Sequence, residues 1–181
     1  MNRLLLLLPL AVFVVVAAFA IRGLTLDQTV QPSNLIDRPV PDFELAPLPG
    51  YGEPFSPADL QGQVSLVNIF GSWCAACRIE HPFLVEIGAE DDVPLYGIDW
   101  ADTPERGAAW LTEHQSPYDK VGNDEAGRAV ISLGVTGAPE TFLVDAQGRI
   151  RYRHVGPLTR DTWERTLKPM IDAVRAEGAK G

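Results

Sequence analysis

The chain has 181 residues, of which 46% are hydrophobic and 22% charged, and its formal net charge is −9. This length predicts one domain with an appendage, and the acidic balance excludes a surface for nucleic acid or anionic membranes, since both are bound by clusters of Lys and Arg. With two cysteines in all, the chain cannot be a disulfide scaffold, which needs several bridges.

The N-terminal segment Leu4–Ile21 contains no charged or strongly polar residue. As a helix these 18 residues would measure about 27 Å, close to the roughly 30 Å hydrocarbon core of a bilayer. We therefore predict a transmembrane helix over residues 1–22 that serves as a membrane anchor or uncleaved signal. A secretory signal cleaved after Ala20 is the alternative, and either interpretation exports the rest of the chain.

Residues 23–38 are predicted to be a linker, because polar residues and proline replace large apolar ones there, and the domain is predicted over residues 39–181. An edge strand is predicted where Phe43 and Leu45 alternate with polar neighbours. The β-branched run Val64–Phe70 predicts a central strand.

Later elements follow from caps and periodicity. In order, the sequence predicts a helix from Cys74 that bends at Pro82 and ends around Gly88, a strand Val93–Asp99, a helix capped by Thr103, a helix from Asn123 closed by Gly134, hairpin strands Thr141–Asp145 and Arg149–His154, and an amphipathic helix over Thr159–Ala179. This order predicts an α/β sandwich around a mixed sheet.

Cys74 and Cys77 stand where the predicted central strand gives way to a helix. At a helix N-terminus the sulfur of Cys74 faces unpaired N–H groups and the positive end of the helix dipole, which favour a thiolate. Free cysteine has a pKa of about 8.5, and this setting lowers it to roughly 3.5–7.5. We predict that Cys74 attacks a substrate disulfide and that Cys77, one turn further and more buried, resolves the mixed disulfide.

Two other interpretations of the cysteines stay open. A soft metal could be held by Cys74, Cys77 and His81, which share a helical face, although the chain has three histidines and none is spaced as a ligand pair. The two thiols could also be inert and buried, although chance seldom places the only cysteines of a chain at this spacing and junction.

Two stretches carry a resemblance to known proteins. "SWCAACRIEHP", Ser72–Pro82, resembles the active site of the thioredoxin superfamily, and "GVTGAPETFLVDAQGRIRYRHVG", Gly134–Gly156, resembles the CcmG/DsbE family of cytochrome c maturation. The likeness extends over nearly the whole chain. It implies a thioredoxin-like fold, a mixed central β-sheet flanked by helices, with an N-terminal strand extension and a central insert.

The resemblance also implies a function. It implies a reductase, single-pass in the inner membrane with its soluble domain in the periplasm, that keeps the haem-binding cysteines of apocytochrome c reduced. An inner-membrane electron donor of the DsbD/CcdA type would recharge it, and no cofactor is implied beyond the redox-active disulfide Cys74–Cys77. The alternatives are a general exported disulfide oxidoreductase like TlpA and ResA, a non-catalytic apocytochrome-holding protein, and a metal carrier.

Further site residues are implied by matching positions of the family. Pro139 matches the cis-proline loop that faces the active-site disulfide, and Ala138 matches the residue whose backbone pairs with a substrate strand. Glu80 and Glu140 match acids that the family places near the disulfide, where a carboxylate would accept the proton of Cys77. The alternative is that Glu80 lies on a solvated helix face and that Glu140 only begins a strand.

Further positions around the predicted site complete the sequence-based picture. Trp73, an aromatic beside an exposed thiol, is predicted to contact substrate. Asn68 stands where ordinary thioredoxins carry a buried aspartate, which makes Glu80 the candidate replacement. Asp99, Trp100 and Asp102 come at the end of a predicted strand, on the active-site side of a thioredoxin-like sheet, and are candidate contacts for a partner.

Overall fold

The computed structural model describes residues 3–24, 34–90 and 93–178, so the linker predicted over residues 23–38 lies largely outside the described residues. The strands are β1 (Ala46–Pro47), β2 (Ser65–Phe70), β3 (Leu95–Trp100), β4 (Lys120–Asp124), β5 (Glu140–Val144) and β6 (Ile150–Val155). The helices are α1 (Arg3–Leu24), α2 (Ala75–Glu90), α3 (Pro104–His114), α4 (Arg128–Ser132), α5 (Arg160–Thr162) and α6 (Lys168–Gly178). A 3₁₀ turn spans Pro57–Leu60, and a π-helical turn spans Trp163–Leu167.

The N-terminal prediction is corrected by the structure. Crossing a bilayer takes about 20 consecutive apolar residues in a helix. In the described part of the chain, no helix combines the length and the apolar character that a membrane crossing requires. The predicted transmembrane anchor over residues 1–22 is therefore not found, and the predicted single-pass location in the inner membrane with a periplasmic domain is wrong.

The described strands form one sheet in the order β1-β4-β3-β2-β5-β6. Strands β2, β3 and β4 run parallel, while β1, β5 and β6 are antiparallel to their neighbours. All six residues of β2 are buried, as expected for a central strand covered on both faces. The mixed sheet predicted from the order of elements is confirmed.

Alternating residues of the central strands supply cores on both faces of the sheet. Val67 and Ile69 of β2 face one core, which includes Val130 of α4. Leu66 faces the other core, with residues of α2 and of the C-terminal helical segment: Leu84, Ile87, Trp163, Leu167, Ile171 and Val174. A third cluster joins Phe70, both cysteines and the α3 residues Ala108, Trp110 and Leu111. The cysteines therefore lie at the junction of β2, α2 and α3.

Strand β4 was missed by the sequence analysis, because its five residues show neither alternation nor an apolar run. Gly122 at its centre reflects a close approach, since a Cβ there would lie 2.5 Å from Cβ of Leu45. The helix predicted from Asn123 begins only at Arg128, because Asn123 pairs with Asp99 of β3.

Prolines explain two other differences. The predicted edge strand around Phe43 and Leu45 is reduced to a two-residue β1 in which Pro47 has no N–H to donate. The C-terminal helical segment is unbroken from Arg160 to Gly178 but widens into the π-helical turn just before Pro169, which likewise has no N–H to donate to the turn before it.

Candidate active site

Cys74 and Cys77 lie at the carboxyl end of central strand β2, where α2 begins. The N–H of Cys74 donates to the Gly71 carbonyl at 3.0 Å, which folds the chain back directly after the strand. Cys74 and Cys77 form a disulfide, and the N–H of Cys77 donates to Cys74 Sγ at 3.0 Å. Cys74 is 5% exposed and Cys77 1%, so Cys74 is the more accessible of the two cysteines.

The loop before β5 faces this disulfide. The Ala138–Pro139 peptide bond is cis, and the carbonyl oxygen of Ala138 lies 3.4 Å from Cys74 Sγ. The structure thus brings Ala138 and Pro139 to Cys74 across 64 residues of sequence.

Glu140 begins β5 directly after this loop and is fully buried. Its carboxylate accepts hydrogen bonds from Nε and Nη2 of Arg153 at 2.8 and 2.9 Å. Oε1 also accepts from the backbone and hydroxyl of Thr136 at 2.8 and 3.0 Å and from the N–H of Gly137 at 3.3 Å. Because the three bonds from residues 136–137 all end on Glu140, this side chain holds the shape of the loop that carries Pro139. The predicted role as proton acceptor stays a prediction.

Trp73 lies beside the disulfide with 46% of its surface exposed. Its Nε1 donates to the Trp100 carbonyl at 2.8 Å, and its ring meets the Trp100 ring edge-on at 5.6 Å. A cavity of about 280 Å³ opens between Trp73, Cys74 and Arg78. Trp73 is therefore both anchored and accessible, as a residue in contact with substrate must be.

Glu80 lies on the buried face of α2, three residues after Cys77 and 2% exposed. Residues at this spacing on a helix have Cβ atoms about 5–6 Å apart. Oε1 accepts from Asn68 Nδ2 at 3.0 Å, and Oε2 accepts from the N–H of Leu158 at 2.7 Å. Burial raises the pKa of Glu80 to about 7, against the opposing effect of these two donors. A carboxyl with that pKa can take up and release a proton at neutral pH.

Asp99 and Asp102 are buried behind the loop that precedes Cys74, rather than exposed for contact with a partner. Oδ2 of Asp102 accepts from the N–H of Ser72 at 2.8 Å, which fastens that loop to the end of β3. Burial, followed by repulsion from Asp102, raises the pKa of Asp99 to about 7. A Cβ on Gly107 would lie 2.0 Å from Asp99 Oδ2, so glycine makes the room for this carboxyl.

Tyr118 is a site residue that sequence analysis missed. Its hydroxyl donates to Asn68 Oδ1 at 2.7 Å, and its ring stacks on Phe70 at 5.0 Å between centroids. The available signal was Gly97 in the middle of an otherwise apolar strand, because a Cβ there would lie 2.9 Å from the Tyr118 ring.

His81 is the third residue of the alternative metal site, but its ring makes structural contacts instead. Its Nε2 donates to the Gln115 carbonyl at 2.7 Å, and its ring packs edge-on against Trp110 at 4.4 Å. Within residues 3–24, 34–90 and 93–178, no three His, Cys, Asp or Glu side chains are grouped closely enough to hold a metal ion.

Known proteins are similar to this chain in sequence, and solved structures are similar to it in fold. A family model described as Redoxin matches residues 36–170. The chain is 43% identical to the thiol:disulfide interchange protein DsbE of Pseudomonas aeruginosa over 177 residues, which covers 98% of each protein. It is 38% identical to DsbE of Escherichia coli K12, covering 99% of this chain and 100% of that protein. It is also 40% identical to the thiol:disulfide interchange protein HelX of Rhodobacter capsulatus, covering 91% and 92%.

Solved structures resemble this one at lower identity. A secreted thiol-disulfide isomerase of Corynebacterium glutamicum superposes with a TM-score of 0.63 at 25% identity, over 74% of this chain and 85% of that one. A DsbF homologue of Corynebacterium diphtheriae gives a TM-score of 0.65 at 21% identity, over 79% and 93%. These structures, with the mixed sheet described above, confirm the predicted thioredoxin-like fold.

Proposed function

The chain belongs to the Redoxin family and, within it, to the DsbE thiol:disulfide interchange proteins, and from this membership we propose that it is the reductase that keeps the haem-binding cysteines of apocytochrome c reduced during cytochrome c maturation. It is a thiol:disulfide oxidoreductase whose reactive group is the Cys74–Cys77 pair.

One observation carries the proposal: Cys74 Sγ lies at the start of α2 with the N–H of Cys77 donating to it at 3.0 Å. In the reduced protein this donor and the positive end of the helix dipole favour a Cys74 thiolate. A thiolate is the species that attacks a disulfide.

The reaction follows in two exchanges. The Cys74 thiolate attacks one sulfur of the substrate disulfide, which forms a mixed disulfide and releases the other substrate sulfur as a thiolate that takes a proton from water. Cys77 then gives its proton to Glu80 and attacks Cys74 Sγ, which forms the Cys74–Cys77 disulfide and releases the second substrate thiolate. The substrate gains two electrons, and the protein is left in the oxidised form that the structure holds.

The side chains around the disulfide support these roles. Ala138 offers its carbonyl 3.4 Å from Cys74 Sγ, where a substrate segment can lie against the loop of Pro139. Glu80 is buried one helical turn beyond Cys77 and has a pKa near neutrality, which suits a group that accepts the Cys77 proton. We propose that an electron donor of the DsbD/CcdA type then reduces the disulfide by attack on Cys74.

Trapping the mixed disulfide tests the proposal. The Cys77→Ser variant lacks the resolving thiol, so it should accumulate a mixed disulfide through Cys74 with oxidised apocytochrome c. Cys74→Ser is the matched control and should trap nothing. Equal trapping of unrelated disulfide proteins of similar size would show a disulfide oxidoreductase of broad specificity instead.

The reduction potential tests the direction of electron flow. A reductase is expected toward the potential of thioredoxin, about −270 mV, whereas a strong oxidant lies near about −120 mV. Equilibration of the Cys74–Cys77 pair with glutathione buffers measures it. A value near the oxidant end would contradict a reductase while leaving the disulfide exchange activity intact.

A further inference from the structure

The segment between α3 and β4 is pressed against the active-site helix. Gln115 receives the hydrogen bond from His81 of α2 at 2.7 Å. Two turns further along α2, Gly88 lies so close that a Cβ would stand 2.7 Å from the Pro117 carbonyl oxygen. Both contacts fix the backbone on which Tyr118 is carried.

From this backbone the Tyr118 ring lies across β3 at Gly97 and stacks on Phe70, the last residue of β2. It also packs against the cluster that contains Cys77. The ring is therefore held on three sides, and these contacts fix the position of its hydroxyl group.

That hydroxyl begins a chain of hydrogen bonds that ends at Glu80. Tyr118 Oη donates to Asn68 Oδ1 at 2.7 Å. Nδ2 of Asn68 then donates to Glu80 Oε1 and to Thr141 Oγ1, both at 3.0 Å. Asn68 is fully buried, so the protein itself must supply each of its partners.

We infer that Tyr118 is a positioning residue for the resolving exchange: its hydroxyl fixes the Asn68 amide in the orientation that presents an N–H group to Glu80, the acceptor of the Cys77 proton. This inference rests on the proposed function, since it needs Glu80 in that role. It extends the site to a residue that touches neither sulfur.

The physical basis is that a side-chain amide carries both a hydrogen-bond acceptor and a hydrogen-bond donor. A side-chain amide has an oxygen that accepts and a nitrogen that donates, so its rotation by half a turn exchanges one for the other. With the Tyr118 donor in place, Oδ1 of Asn68 is satisfied where it is and Nδ2 stays directed at Glu80. Without that donor, Oδ1 gains a hydrogen bond by turning toward a protonated Glu80, which holds the proton on the carboxyl more tightly.

Other titratable groups surround this chain of hydrogen bonds. On α2 they are Cys77 and Glu80 itself, and β3 contributes Asp99, which with Glu80 raises the pKa of Tyr118 beyond the effect of its burial. On β6, His154 is paired with Thr141 in the sheet register. The Tyr118→Phe and Tyr96→Phe variants of the test leave all of these other groups unchanged.

The test separates the two exchanges with dithiobis(nitrobenzoate), a small aromatic disulfide. Attack by Cys74 releases one thionitrobenzoate anion and leaves a mixed disulfide, and attack by Cys77 on that mixed disulfide releases the second anion. The rate of the second release, measured across pH on the full-length reduced protein, reports the step in which Cys77 loses its proton.

Tyr118→Phe should move the pH midpoint of the second release upward by about half to one unit, because it removes one buried hydrogen bond, and it should leave the first release unchanged. Glu80→Gln should abolish the rise in the rate of the second release near neutral pH. Tyr118→Phe added to Glu80→Gln should cause no further shift of the pH midpoint. Tyr96→Phe is the matched control, since Tyr96 donates to the Asp59 carbonyl at 3.0 Å, outside the hydrogen-bond chain.

The outcomes distinguish the inference from the proposed function. If Glu80→Gln leaves the pH profile intact, Glu80 is not the acceptor and the proposed mechanism fails. If Glu80→Gln removes the rise in rate near neutral pH but Tyr118→Phe only lowers thermal stability, as Tyr96→Phe does, Tyr118 is structural and the inference alone is overturned.

Discussion

Arg153 and Glu140 form a buried ion pair with two parallel hydrogen bonds, from Nε to Oε2 at 2.8 Å and from Nη2 to Oε1 at 2.9 Å. Their side chains are 6% and 0% exposed. Since Glu140 also holds the backbone of residues 136 and 137, the pair connects the hairpin β5–β6 to the loop that faces Cys74.

Removing one partner of this pair should cost more stability than removing both. Arg153→Met leaves the Glu140 carboxylate buried without its cation, which is expected to lower the free energy of unfolding by about 3–5 kcal/mol. The double variant Arg153→Met, Glu140→Gln should recover part of that loss. Urea unfolding followed by tryptophan fluorescence measures both, and a double variant less stable than Arg153→Met would show that charge burial is not the cause.

Glu80→Gln should change how stability depends on pH. The folded protein keeps the Glu80 proton up to about pH 7, whereas the unfolded chain loses it near the ordinary value of 4.5. The folded state therefore binds more protons in this window, and the contribution of Glu80 to stability is lost as pH rises through it. Relative to Glu80→Gln, the wild type should lose up to about 3 kcal/mol between about pH 5 and pH 8.

The control for this measurement is Glu86→Gln, which removes a partly exposed carboxylate from the same helix. It should retain the wild-type fall in stability across the same pH range. If Glu80→Gln and Glu86→Gln give parallel curves, the pH dependence does not come from Glu80.

Replacing Asp99 or Asp102 by asparagine should change the stability of the protein in opposite directions. Burial and the neighbouring Asp102 raise the pKa of Asp99 to about 7, so Asp99→Asn should stabilise the protein above neutral pH. Asp102→Asn should destabilise it, because a carboxylate that accepts from the N–H groups of Ser72 and Thr103 and pairs with Arg106 is replaced by a neutral group that can accept less. Thermal unfolding at about pH 8 compares the two, and equal signs would contradict this assignment.

Gly97→Ala should displace the Tyr118 ring. The added Cβ would lie 2.9 Å from that ring, and overpacking of this kind typically costs about 1–3 kcal/mol. Gly178→Ala at the end of α6 has open space around its Cβ and should change stability by less than about 1 kcal/mol. Gly97→Ala should also move the pH midpoint of the Cys77 exchange, and an unshifted midpoint in a destabilised variant would show that the ring can be displaced without affecting Glu80.

Trp73→Ala should slow the attack on a disulfide-bonded Cys-X-X-Cys-His peptide by about three- to tenfold, because an aromatic contact worth about 1 kcal/mol is lost. Trp73→Phe keeps a ring and should lie between wild type and Trp73→Ala. The rate with the small aromatic disulfide serves as the reference. Equal slowing with both substrates would assign Trp73 to the anchoring of the loop through Trp100 rather than to peptide contact.

Local pattern was sufficient to predict the elements that carry the chemistry. Val64–Phe70 indicated a buried strand and Thr103 a helix start, and the structure has β2 at Ser65–Phe70 and a Thr103 hydroxyl that accepts from the Arg106 N–H. Such signals depend on residues within a turn or a strand length of one another. Strand β4 was not predicted, because its position depends on contacts with Leu45 and β3, which lie far away in sequence.

The candidate site likewise combines a part that local sequence predicts with a part that depends on residues distant in sequence. The CxxC pair could be recognised from its spacing and position, but the surroundings of Glu80 could not. Its donors come from Asn68, 12 residues earlier, and from Leu158, 78 residues later. Tyr118 is 50 residues from the amide that receives its hydrogen bond, so no periodicity or motif could connect them.

The unequal exposure of the two cysteines has a kinetic consequence. Cys77 is 1% exposed and Cys74 5%, so an oxidised substrate and a reducing donor must both react at Cys74. Two proteins cannot occupy one sulfur together, and each must leave before the other arrives. Turnover with both partners should therefore show ping-pong kinetics, with parallel double-reciprocal lines, and each partner at high concentration should inhibit the other competitively.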